Sequence, residues 1–169
     1  MGKVSVRKNK NIYQRTREEL GLSREKASEL LVTVTPERIE KIESEKLTAH
    51  PDDILTMAEC YKAPHLCNHY CANQCPIGMR YVPQIEPKAL SEIVLEMLAS
   101  LNSMNRRKDR LIEITADGCV DTDEIDDFIF IQNELEKISI TVEALQLWTE
   151  KMISDGNIDM ELYKARKQK

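Results

Sequence analysis

Apolar residues in the first third of the chain recur every three or four positions, in short runs separated by turn residues. Tyr13 and Leu20 lie on one side of a first helical stretch that the Gly21-Leu22 break closes. Ser23 then caps a second stretch, which turns Ala27, Leu30 and Leu31 inward. A third follows at once: Thr35 offers a side-chain acceptor, Pro36 sits where a first-turn proline loses no hydrogen bond, and Ile39 and Ile42 share a face. Pro51-Asp52-Asp53 opens a fourth helix with Ile54, Leu55, Met57, Ala58 and Tyr61 as its stripe, and Ala63-Pro64 restarts a fifth.

The period lengthens in the second half. Pro76-Ile77-Gly78 and the segment Tyr81–Pro87, with prolines near both ends and no helical spacing, predict a linker over 76–87. Leu90, Val94, Met97, Leu101, Met104 and Leu111 then form one heptad seam, and Phe128, Ile131, Leu135, Ile138, Val142, Leu145 and Met152 a second. Two facing seams on consecutive helices predict an antiparallel helical hairpin over 88–155, with the methionines as core filling. Ile129, Ile140, Ala144, Leu147 and Trp148 lie off the main seam and exceed what one partner helix covers, so a second hairpin is expected to pack there as a homodimer. Phe128, Ile131, Leu135, Ile138, Ile140, Val142, Leu145 and Trp148 are its expected dimerisation residues. Residues 156–169 read as a polar, basic tail.

The run R-x-x-R-E-E-L-G-L-S-R-E-K-A-S-E-L-L followed by T-P-E-R-I-E-K-I-E-S-E-K resembles the Cro/CI-like, or XRE-type, helix-turn-helix regulators, carried by Gly21–Glu25, Leu30-Leu31 and Ile39–Lys46. The resemblance implies an N-terminal lambda-repressor-like bundle over 1–75, closed by a last short helix bearing Leu66 and Tyr70, that binds double-stranded DNA. It implies that Glu43 pairs with Arg17 as a structural contact. It implies DNA contacts from Arg15, Ser23, Arg24, Thr35, Glu37, Arg38, Lys41 and Lys46. Val32-Thr33-Val34 has no glycine where the family's turn usually carries one, and the base-reading positions fall on Pro36, Glu37 and Lys41. Glu37 can accept a hydrogen bond from cytosine N4, whereas a carboxylate near phosphate without that contact is repelled.

Composition narrows the class without naming a function. A chain of 169 residues, 41% apolar and 31% charged, with 5 Gly and 6 Pro, points to an all-α protein of one ordinary or two small domains. No apolar run approaches the roughly 18 residues of a membrane span, and the basic start is not followed by the apolar stretch of a secretory signal, so a cytoplasmic protein with no membrane partner is expected. The net charge of −5 is unevenly divided: Lys3, Arg7, Lys8, Lys10, Arg15 and Arg17 precede the first acid. Such a footprint suits phosphate contact and equally a solvated tail.

Cys60, Cys67, Cys71 and Cys75 cluster with His65 and His69 between them, and the last three thiols are spaced four and four along a helix. The spacing matches no standard zinc or iron–sulfur signature. It leaves open a zinc site, an iron–sulfur or redox sensor, a reversible Cys71–Cys75 disulfide, and plain apolar packing by reduced thiols. Asp117-Gly118-Cys119-Val120-Asp121-Thr122-Asp123-Glu124 fits the second half of an EF-hand loop, but Glu113 and Thr115 replace the leading ligands; Gly118 as a helix stop and Asp121 with Glu124 as a capping box account for the same residues. No nucleophile–base pair or phosphate loop suggests an enzyme. A sequence-specific DNA-binding regulator, a helical protein-interaction adaptor with a degenerate helix-turn-helix, and a cysteine-based metal or redox sensor are the readings carried forward.

Overall fold

The computed structural model describes residues 10–114, 116 and 118–167. They are all-α, with no strand among them: α1 Ile12–Glu19, α2 Arg24–Leu31, α3 Pro36–Glu43, α4 Pro51–Cys60, α5 His65–Asn73, α6 Gly78–Tyr81, α7 Leu90–Arg106, α8 Lys108–Ile114, α9 Ile125–Ser154 and α10 Met160–Lys167. No helix is long and apolar enough to cross a membrane. The chain divides into two compact units, Met1–Gln84 with Glu150–Lys169, and Ile85–Thr149. The expected linker over 76–87 therefore contains a helix of the first unit, and the expected tail contains α10.

Local chemistry sets where the first helices begin. Asn11, Ser23 and Thr35 have extended backbones and accept from the amides of Gln14, Lys26 and Arg38, each satisfying a donor that an uncapped helix leaves unmade. The helices end by one device. After α1, α3 and α4 a residue turns to positive φ and the next amide reaches back five residues: Leu22 to Arg17, Lys46 to Lys41, and Ala63 to Ala58. Glycine supplies this turn at Gly21, and Glu45 and Lys62 adopt it at φ 59° and 52°.

Tyr13, Ala27, Leu31, Val34, Ile39, Ile42, Ile54, Met57, Tyr61 and Leu66, drawn from five helices and the turn after α2, close one buried core. Full burial of each large apolar side chain contributes about 1.5–3 kcal/mol before conformational entropy is counted. α6 lies flush on α5: a Cβ on Gly78 would come within 2.2 Å of the Cys71 carbonyl oxygen, so no larger residue fits without separating the two helices. Lys151, far along the chain on α9, donates to the Lys62 carbonyl at 3.0 Å, capping the end of α4.

One polar cluster is buried with this core. Arg17 Nε and Nη2 donate to the two Glu43 oxygens at 2.5 and 2.9 Å, and Arg17 Nη1 donates to the Leu22 carbonyl at the α1–α2 joint. Arg24 Nε adds a third donor to Glu43 at 2.8 Å. Glu43 thus joins α3 to α1 and α2 with both oxygens occupied.

In the second unit Ile85, Ile93 and Ala144 form a small core, with Ile140, Leu145, Leu147 and Trp148 packed around it. Arg107 stacks 4.0 Å over the Phe130 ring and pairs with Asp127, which Arg110 also holds. Contacts of Ile93 with the Ala144 region and of Arg107 with Asp127 mean that α7 and the first part of α9 run in opposite directions. The expected seam on α7 is one residue out of phase. Ile93 and Ser100 are buried, while Leu90, Val94 and Leu101 are 38%, 41% and 46% exposed. The correction has a packing cause: Ile85, placed in the expected linker, meets Ile93 and turns that face inward. On α9, Ile140, Ala144, Leu147 and Trp148, expected off the seam, pack within their own chain, whereas Leu135 and Val142, expected inside it, are 51% and 40% exposed.

Removing Glu43 strands the Arg17 guanidinium, whose side chain is only 6% exposed. Glu43→Ala is expected to lower the unfolding free energy by about 3–5 kcal/mol in urea titration, and pairing Glu43→Leu with Arg17→Met to recover most of that loss. A loss under about 1 kcal/mol in the single variant would show that the cluster is not structural.

Candidate nucleic-acid interface

The outer face of α3 is built by the same sequence features that bury its inner face. Ile39, Ile42 and Glu43 point into the first unit, so at helical spacing Glu37, Glu40 and Lys41 point away from it and are exposed. Lys46, just past the helix, and Arg15 on α1 are exposed as well. Ser23 and Thr35 spend their side-chain oxygens as helix caps.

Two expected DNA contacts are occupied within the chain. Arg24 pairs with Glu43. Arg38 Nε and Nη2 donate to one Asp53 oxygen at 2.9 and 2.6 Å, and the same oxygen accepts from the His50 amide at the start of α4. Burial works to raise the Asp53 pKa, but Arg38 and the His50 amide outweigh it and hold the carboxyl below its ordinary value. The arginines thus orient α3 and α4. The charge left exposed on α3 is two carboxylates against one ammonium.

The α2–α3 turn carries an unusual backbone. Val32 sits at φ 59°, ψ −47°, with the Thr33 amide donating to the Leu31 carbonyl across a single residue. This is a γ-turn centred on a β-branched residue, which pays steric strain for the sharp reversal. Its side chain, 85% exposed, gains nothing from burial, while Val34 two residues on is 1% exposed and anchors the turn.

The cysteine cluster disperses over the ends of α4 and α5. Cys60 Sγ lies 3.6 Å from the Leu30 carbonyl, and Cys75 Sγ accepts from the Gly78 amide at 3.5 Å. Cys67 and Cys71 lie on α5, half-buried. Burial pushes the Cys60 and Cys67 thiols up, assisted by Glu59 for the first and by Cys71 and Glu150 for the second. Among the described residues no three His, Cys, Asp or Glu side chains converge as a metal would require. In the joint before α9, Glu124 accepts from the Asp121 amide at 3.1 Å, the capping contact, with Gly118 at φ 77°; Thr115 and Asp117 of the EF-hand comparison lie outside the described residues.

Asp53 holds α3 through Arg38, Lys151 bonds the Lys62 carbonyl after α4 and Gly78 packs on Cys71 of α5; none was singled out from the sequence for these roles. Only the first had a local signal, three residues past His50 as a capping acid. No family model, no curated protein and no solved structure matches the chain.

Val32→Gly removes the steric penalty of the turn, and is expected to raise stability by about 1 kcal/mol after the added freedom of the unfolded chain is subtracted; a lower urea midpoint would contradict the strained turn. A second outcome concerns protonation. His65 and His69 both have lowered pKa values, burial being the main cause, followed by Lys151 for the first and by Arg15 for the second. The unfolded state then binds more protons below about pH 6.5, so stability is complete above that value and falls as the pH drops. Thermal melts should show a lower midpoint at about pH 5.5 than at about pH 7.5, with most of the difference absent in the His65→Gln, His69→Gln double variant.

Proposed function

We propose that the protein is a cytoplasmic, sequence-specific DNA-binding regulator that acts as a dimer. In this reading α2, the γ-turn and α3 are a lambda-repressor-like helix-turn-helix, and α7–α9 form the helical hairpin that couples two copies. The observation that carries it is the outer face of α3, where Glu37 and Lys41 stand in solvent while Arg17, Glu43 and Arg24 lock the inner face to α1 and α2. A helix held this way meets the major groove without rearrangement. Lys41, Lys46 and Arg15 are assigned to phosphate or base contact and Glu37 to a cytosine edge. Arg24 and Arg38 act by holding α3 rather than by touching DNA. Dimerisation is assigned to the apolar stripes left open on the second unit, Leu90, Val94 and Leu101 on α7 and Leu135 and Val142 on α9.

The intramolecular pairing of Arg24 and Arg38, with Glu37 and Glu40 exposed, favours a second reading: an adaptor whose α3 face meets a basic protein partner. Selection from a random duplex pool, followed by binding across a salt series, separates the two. The regulator predicts one enriched sequence, affinity that falls steeply with salt, a uniform loss in Lys41→Ala and a changed base preference in Glu37→Gln. No enriched sequence and no salt dependence, with a stoichiometric protein partner in pull-down, would select the adaptor.

A further inference from the structure

The seam between α7 and α9 in the second unit is polar at its middle, where a packed helix pair ordinarily carries apolar side chains. Glu96, Ser100 and Ser103 follow one another at helical spacing on α7, and Glu134, Lys137 and Thr141 do so on α9. They fall between the two contacts that fix the pair, Ile93 with the Ala144 region and Arg107 with Phe130 and Asp127. Serine and alanine are too short to fill the space between the helices. A recess of about 440 Å³ remains, a volume that suits a small molecule.

Two oxygens of its lining are left unmet by the chain. Glu134, its side chain 6% exposed, accepts from Lys137 through Oε1 at 2.7 Å, and its second oxygen has no hydrogen-bond partner among the described residues. Ser100 is 6% exposed, and its hydroxyl likewise has none. The fully enclosed unpartnered oxygens among the described residues are the Tyr13 and Tyr61 hydroxyls, so those of Glu134 and Ser100 stay open to the recess that both residues line. A carboxylate this far from bulk water has lost most of its hydration, and one ammonium on one oxygen restores only part of it.

The lining selects the donor that would supply the rest. Its ionised groups are two carboxylates, Glu96 and Glu134, against the single ammonium of Lys137, so an anion is disfavoured. A divalent cation wants oxygen on every side, whereas Ala99, Ile140 and the Thr141 methyl make part of the wall aliphatic. A guanidinium binds best to both carboxylate oxygens at once, and Lys137 already holds one. A primary ammonium has three donors pointing in different directions, enough for the free Glu134 oxygen and the Ser100 and Ser103 hydroxyls, and an alkyl chain behind it meets the aliphatic wall.

We infer that the recess between α7 and α9 binds a small aliphatic primary amine in its ammonium form, ion-paired with Glu134 and hydrogen-bonded to Ser100. The binding does not depend on whether α3 contacts DNA. The test titrates the full chain near neutral pH with n-butylamine, which is protonated there, and with n-butanol as its uncharged counterpart, following the methyl resonances of Ala99, Ile140 and Thr141 by NMR. Butylammonium is expected to shift them saturably with Kd below about 1 mM, and butanol to bind about tenfold more weakly or less. Glu134→Gln, which keeps the shape and removes the charge, should weaken butylammonium binding by about tenfold, and Ser100→Ala by about fivefold. Lys137 has a side chain 61% exposed, so the first variant strands no buried cation. If it nevertheless fails to fold, Ser100→Ala decides. No saturable shift with butylammonium would leave the recess to water and overturn the inference, as would butanol binding equally well or binding that neither variant weakens. Shifts that follow protein concentration instead of amine would assign the recess to a second copy of the chain and overturn it too.

Discussion

The first unit depends on a single buried carboxylate. Glu43 is 4% exposed and takes three guanidinium donors, two from Arg17 on α1 and one from Arg24 on α2. A buried ion pair is a weak source of net stability because desolvation offsets most of its attraction. Its geometry is nonetheless demanding: three helices must keep their relative angles for the oxygens to stay satisfied. Arg38 and Asp53 repeat the arrangement at lower burial between α3 and α4. The packing of Ile39 and Ile42 decides which face of α3 is inside, and the two ion pairs decide how the helix is aimed.

That arrangement has a cost for nucleic-acid recognition. Arg38 spends two donors on Asp53 and Arg24 one on Glu43, which leaves fewer for phosphate or guanine, and the outer face of α3 keeps Glu37 and Glu40 against Lys41. In the proposed DNA-binding reading, recognition through this face would rest on few contacts, with Glu37 as the discriminating group. The same charge balance would suit a basic protein surface. Both readings use one rigid α3 and differ only in the sign of the partner's charge.

The second unit is thin by comparison. Its buried apolar side chains are Ile85, Ile93, Ile114, Ile131 and Ala144, and Ser100, Glu134 and Thr141 are buried among the polar positions of α7 and α9. Glu134 is held by Lys137 one turn on, and Thr141 donates to the Ile138 carbonyl, so these two groups find partners within α9 itself. With few apolar side chains fully enclosed, both helices leave apolar residues open, among them Val94, Leu95 and Leu101 on α7 and Leu135 and Val142 on α9.

Helix starts in the first unit were legible where they are local: Ser23 and Thr35 act on amides three residues away, and Gly21 breaks the chain where it stands, while the Asn11 cap was not singled out. The Arg17–Glu43 pairing was reached only through a family resemblance, since twenty-six residues separate the partners. Other features had no local trace. Ile93 and Val94 are adjacent and both apolar, so a heptad pattern alone could not choose between them until Ile85 packed on one. Arg24 and Arg38 looked available because their carboxylates lie 19 and 15 residues away, and Lys151 caps α4 across 89 residues. Short-range hydrogen bonding and periodicity are written in neighbouring residues, so the chain alone determined the first five helices and the buried face of α3, while α6 and α10 fell in stretches read as linker and tail. Which charges remain free, which of two apolar faces is covered and where a recess forms depend on groups that meet only after the chain has closed, and those the tertiary structure decided.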